Sequence, residues 1–192
     1  MVSESTASLL TPLTTGERRE LLWLARESIR AALHKASLPV PRLLTTALRE
    51  PGAAFVSLHI GNDLRGCVGT LLAEDALHIT VAQRARSAAF DDPRFSRLTE
   101  VELASVEIEI SRLSPLMPVQ PHDVRAGVHG VCISAGERRG VFLPQVAQRY
   151  GWDRETLLRE LCQKALLPPD AWQWPRTSVE IFEAEVFGES DK

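Results

Sequence analysis

Cys67 sits in the run Leu64-Arg65-Gly66-Cys67-Val68-Gly69-Thr70, with a cation two residues before it and glycines on either side. Thiolate is the reactive form of cysteine, and a nearby cation favours it. If the run is a strand, Arg65 and Cys67 share a face. Gly66 and Gly69 remove side-chain bulk, so a ligand or a second backbone can approach closely. That chemistry is nucleophilic attack or group acceptance by Cys67. The plainer reading is a small buried hydrophobe, since free cysteine is among the most buried residues. Arg65 has two readings as well. Its planar fork suits the carboxylate or phosphate of a small anionic ligand; alternatively it bonds backbone carbonyls, Glu107 or Glu109.

Three further places carry candidate chemistry. His129, between Val128 and Gly130, is a candidate base toward Cys67 in the manner of a Cys–His pair, or a histidine satisfying turn backbone. Asp92 and Arg94 lie in a Pro-containing loop, where Asp commonly satisfies loose backbone donors; ligand binding is the other use. Gln145 follows Pro144 at a strand-to-helix junction, and proline suits a first helical turn. No CxxC or HExxH spacing occurs, so neither a metal site nor a cofactor is expected.

The elements that must position these residues can be read from spacing. Thr14-x-x-Glu17 forms a capping box, and Leu21, Leu24, Ala25, Ile29 and Ala32 fall on one helical face that stops before Pro39. Strands are predicted at 55–60 and 64–71, joined through Gly61-Asn62-Asp63. A helix over 75–90 carries Leu77, Val81, Ala85 and Ala88 as its stripe. Thr99-x-x-Glu102 caps a short turn, and residues 106–110 alternate apolar and acidic as a half-buried strand does. The stretch 115–121 reads as a connection. A second hairpin follows at 130–134 and 139–143, then a helix, another over 153–165, and a strand from Ser178.

The second half repeats the first. Arg65-Gly66 recurs as Arg139-Gly140 after 74 residues, and Ser105-Val106-Glu107-Ile108 as Ser178-Val179-Glu180-Ile181 after 73. This predicts an α+β fold of two strand–helix repeats, 53–111 and 128–187, merged into one curved, mostly antiparallel sheet with outer helices. A single domain is expected over 16–188, with tails at 1–15 and 189–192. Val141 takes the place of Cys67 in the second copy, so the Arg-Gly step reads as scaffold.

The totals exclude several classes. With 44% hydrophobic residues, 24% charged and a net charge of −3, the 192-residue chain can build a core but has no general pull toward nucleic acid. No membrane-spanning stretch appears. Three widely spaced cysteines fit reduced thiols, and the start lacks the pattern of a signal peptide; a cytoplasmic location is expected.

The motif Leu64–Thr70 resembles the LRGCIGT signature of the AmmeMemoRadiSam system protein A family, the AMMECR domain, with Val68 for isoleucine. The resemblance continues through Ala89-Phe90-Asp91-Asp92-Pro93-Arg94-Phe95, Gly127-Val128-His129-Gly130, Phe142-Leu143-Pro144-Gln145-Val146-Ala147 and Gly151-Trp152-Asp153. It implies the barrel-like α+β fold of two repeats. It also implies Memo-like and radical-SAM protein partners, with an accessory or binding role and a Cys67-dependent enzyme as the alternative.

Overall fold

The structure is a computed structural model that describes residues 9–191. The first eight residues of the expected N-terminal tail, and Lys192 of the C-terminal one, lie outside the described residues. The chain divides into two compact units, Thr11–Leu113 with residues 185–191, and Ser114–Ala184 with residues 9–10.

In the first unit the capping box forms as its spacing predicts. Thr14 Oγ1 accepts from the Glu17 amide at 3.3 Å, and the Glu17 carboxylate accepts from the Thr14 amide at 2.8 Å. Helix α1 (Thr15–Leu33) buries Leu21, Leu24, Ala25 and Ile29. A short helix α2 (Thr46–Arg49) precedes β1 (Ala53–Ile60) and β2 (Asp63–Gly69), which turn at Gly61 with φ of 60°. Helix α3 (Leu77–Phe90) starts two residues later than its periodicity predicts. The reason is local: the Asp75 carbonyl accepts from Gly52 and the Leu77 amide donates to Glu50, tying that stretch to the α2–β1 connection. Helix α4 (Glu100–Leu103), capped by Thr99 and Glu102, leads into β3 (Glu107–Leu113).

In the second unit β4 (Met117–Pro118) lies inside the segment read as a connection. Then come the hairpin β5 (Gly130–Ala135) and β6 (Arg138–Phe142), helix α5 (Pro144–Tyr150), helix α6 (Arg154–Lys164) and β7 (Ser178–Phe182). Strand β8 (Ala184–Gly188) follows after the single residue Glu183, and that short separation from β7 hides it in the sequence; from residue 185 it groups with the first unit.

The strands do not merge into one barrel-like sheet. Among the described residues they form two four-stranded sheets, ordered β2-β1-β3-β8 and β4-β7-β5-β6. The physical reason is that each hairpin packs on its own helices. Val56, Leu58, Ile108 and Ile110 join α1 and α3 in one hydrophobic cluster, whereas Val131, Ile133, Val179 and Ile181 join α6 in another. Two separate cores need two separate sheets.

The α+β class and the two sets of hairpin, helices and strand are as predicted. Sheet register also sorts the two sequence matches. Gly66 pairs with Leu58 and Gly140 with Ile133, so the Arg-Gly steps occupy corresponding places. Leu58 then pairs with Ile108 and Ile133 with Val179. By register Ile108 corresponds to Val179, although the four-letter match aligns it with Ile181.

Candidate functional site

Cys67 lies on β2, the edge strand of the first sheet. Its neighbours Gly66 and Val68 face the helices, so alternation turns the thiol to the outward face. There the register sets Cys67 beside Ser57, and Ser57 beside Glu109. Ser57 Oγ donates to Cys67 Sγ at 3.2 Å. The next row pairs His59 with Glu107. A cleft of about 270 Å³ opens beside these rows, lined by His59, Glu107, Glu109, Val186, Gly188 and Asp191; Cys67 and Ser57 do not line it. Cys67 is half-buried, while Cys132 and Cys162 are fully buried and burial pushes both of their thiols up. The face thus carries one half-buried thiol, the buried Ser57 hydroxyl, two carboxylates and an imidazole.

Arg65 is drawn away from this face by a β-bulge. The register passes from Leu58–Gly66 to His59–Leu64, leaving Arg65 as the extra residue, and a bulge re-aims side chains. Its guanidinium Nε donates to Glu102 Oε1 at 2.8 Å on α4. Arg65 first, and the Thr99 amide next, hold the Glu102 carboxyl down at about 2. The partner is therefore Glu102, rather than Glu107 or Glu109.

Asp92 and Arg94 converge on the backbone of Cys67. Asp92 Oδ2 accepts from the Cys67 amide at 2.9 Å, and Arg94 Nη2 donates to the Cys67 carbonyl at 3.2 Å. The two side chains also bind each other, with Arg94 Nη2 at 2.7 Å and Nε at 2.9 Å from the carboxylate. Asp92 is buried, and the Arg94 guanidinium holds its carboxyl well below the usual range despite that burial.

The glycines prove to be packing positions. A Cβ on Gly66 would fall 2.1 Å from the Ala88 carbonyl oxygen of α3, and one on Gly69 would fall 2.2 Å from the Phe55 ring. Close approach is real at both, but the approaching group is the protein itself.

His129 and Gln145 belong to the second unit. His129 is buried where β5 begins, and its Nδ1 accepts from the Arg125 amide at 3.1 Å. Burial, then the positive charge of Arg125, push it below the usual histidine range. Its Nδ1 thus satisfies a turn amide, and its Nε2 lies 3.3 Å from the Arg125 guanidinium Nη2. Gln145 occupies the first turn of α5. Trp152 and Trp172 pack on the second cluster as core covers, while Trp174 is exposed.

Among the described residues no group of three His, Cys, Asp or Glu is placed to hold a metal ion. Among them no helix is long and apolar enough to cross a membrane. Sequence reasoning missed Ser57 and Glu109 as members of the site, because they join Cys67 only through pairing across three strands. The alternation of Ser57 and His59 opposite Val56 and Leu58 was the available signal.

Fold and site define an α+β protein of two hairpin–helix–strand sheets, one of which carries a half-buried thiol on its outward face. The AMMECR1 family model matches residues 22–187, and the chain belongs to the AMMECR1 family. It is similar to a protein of Methanothermobacter thermautotrophicus, 37% identical over 186 residues, covering 93% of this chain and 97% of that one. A protein of Aquifex aeolicus is 34% identical over 181 residues, covering 90% and 93%. The crystal structure of an uncharacterised protein from Pyrococcus horikoshii superposes with a TM-score of 0.83 at 34% identity, covering 88% of this chain and 90% of that chain.

Proposed function

We propose that the protein is an AmmeMemoRadiSam system protein A, a binding or accessory component working in the cytoplasm with Memo-like and radical-SAM partners. The outward face of the first sheet, with Cys67 on its edge strand, is the surface it offers them. One observation carries this reading: both cations near the thiol are committed to carboxylates, Arg65 to Glu102 and Arg94 to Asp92. What remains beside Cys67 is a row of hydroxyl and carboxylate, Ser57 and Glu109. Such a row, with His59 and Glu107 in the next one, suits hydrogen-bonded recognition of a partner's polar groups.

The test is to mix the purified protein with the Memo-like and radical-SAM proteins of its own organism and follow complex formation by size-exclusion chromatography. Glu109→Lys, which reverses a charge on the face, should weaken the complex at least tenfold. Absence of any complex, or a complex indifferent to that substitution, overturns the proposal.

The alternative, a cysteine-dependent enzyme or group acceptor, is favoured by a different observation: Cys67 alone of the three thiols is not fully buried. Cys67→Ser separates the two readings. Loss of a partner-dependent activity with binding intact supports a covalent role for the thiol, whereas unchanged activity rules it out.

A further inference from the structure

We propose that residues 92–96 form a strap over the free edge of β2, with Asp92 and Arg94 as positioning residues that set the accessibility of the Cys67 thiol. This rests on the reading of the outward face as the working surface.

An edge strand presents unpaired N–H and C=O groups that a protein must cover. At Cys67 both groups point to that edge, and both are taken by the Asp92–Arg94 ion pair. The rest of the segment is tied down beside them. The Phe95 amide donates to the Asp92 carbonyl at 3.1 Å, and the Phe95 ring lies 6.0 Å from the Arg65 guanidinium and 5.4 Å from that of Arg94. Ser96 Oγ accepts from Arg65 Nη2 at 3.4 Å.

The second sheet shows what simple edge protection requires. Val141 holds the position on β6 that Cys67 holds on β2, and its carbonyl accepts from Lys164 Nζ at 2.8 Å. One flexible ammonium covers that carbonyl. At Cys67 the chain instead uses a buried carboxylate and a planar guanidinium, which fix the direction of the backbone at both ends of one residue. The side chain so directed is the thiol.

Alkylation of the folded full-length protein at neutral pH tests this, with all three cysteines followed by mass spectrometry. Asp92→Asn and Arg94→Gln should each speed Cys67 modification by roughly tenfold or more, the scale of losing a hydrogen bond to a charged group. Arg94→Lys, which keeps a cation for the carbonyl as Lys164 does, should stay within about twofold of the parent protein. Cys132 and Cys162 report global opening in the same sample. A charge effect on the thiol alone moves the first two variants in opposite directions, because one removes an anion and the other a cation. Opposite signs, an unchanged Cys67 rate, or all three thiols accelerating together each overturn the proposal. The measurement needs no partner, so it stands or falls apart from the complex-formation experiment.

Discussion

Gly66 and Gly69 look alike in the sequence, yet they face opposite sides of β2 and meet different obstacles. At Gly66 the obstacle is the backbone carbonyl of Ala88, which cannot move without shifting α3; at Gly69 it is the Phe55 side chain, which a change of its χ1 rotamer can displace without moving backbone. Gly66→Ala should therefore cost about 2 kcal/mol or more and Gly69→Ala less, as read from urea unfolding midpoints. Equal costs would refute this account of the two positions. Glu102 supports a second residue-level prediction. Its folded-state pKa of about 2 lies below the ordinary glutamate value of about 4.3. Its contribution is thus complete above about pH 4.3 and is lost as pH falls through about 2. The stability gap between the parent protein and Glu102→Gln should shrink steadily over that window; a constant gap would exclude the Arg65–Glu102 pair as its source. Cys67 stands out as a candidate from its own neighbours. Glu102 was legible only as a cap, because its pairing with Arg65 spans 37 residues and depends on the bulge.

Helices and strands whose signals are local were the most readable elements. The two capping boxes, the stripe of α3 and both hairpins follow from residues within a few positions of one another. Thr14→Ala removes the side-chain acceptor of one box and should cost about 1 kcal/mol, measured by chemical unfolding. Glu17 also accepts from Thr45 Oγ1, so the variant should disturb the start of α2 as well, visible as faster amide exchange near residues 45–49. The four-residue helix α2 escaped, and so did the strands β4 and β8, with two and five residues, which exist through the strands they pair with. No periodicity can announce a strand so short. Arg65 belongs with them: alternation places it on the thiol's face, and one bulge undoes that placement.

Over the whole molecule, the sequence signalled two sets of elements, but the expectation that they merge into one sheet is overturned by the two separate ones. Residues 185–191 group with Thr11–Leu113, and two glutamates hold them there. Glu185 binds Arg18, Arg112 and the Leu13 amide; Glu189 binds Arg26 and the Ile108 amide. Glu189→Ala should cost about 2 kcal/mol, because it removes charge-assisted bonds and leaves the Ile108 donor without its acceptor. Hydrogen exchange should locate that loss in β3 rather than in β5 or β7. Uniform protection losses across both sheets would contradict the assignment.

The position of β8 also bears on synthesis. A ribosome makes β1, β2 and β3 early, yet the sheet they begin is completed by residues 184–188. Strands β4 to β7, made in between, have every member of their own sheet available by residue 182. Domains generally fold N-terminal first as they emerge; here the later-made sheet is the first that can close. The unfinished sheet exposes the outer edge of β3 in the meantime, an open template for pairing with another chain.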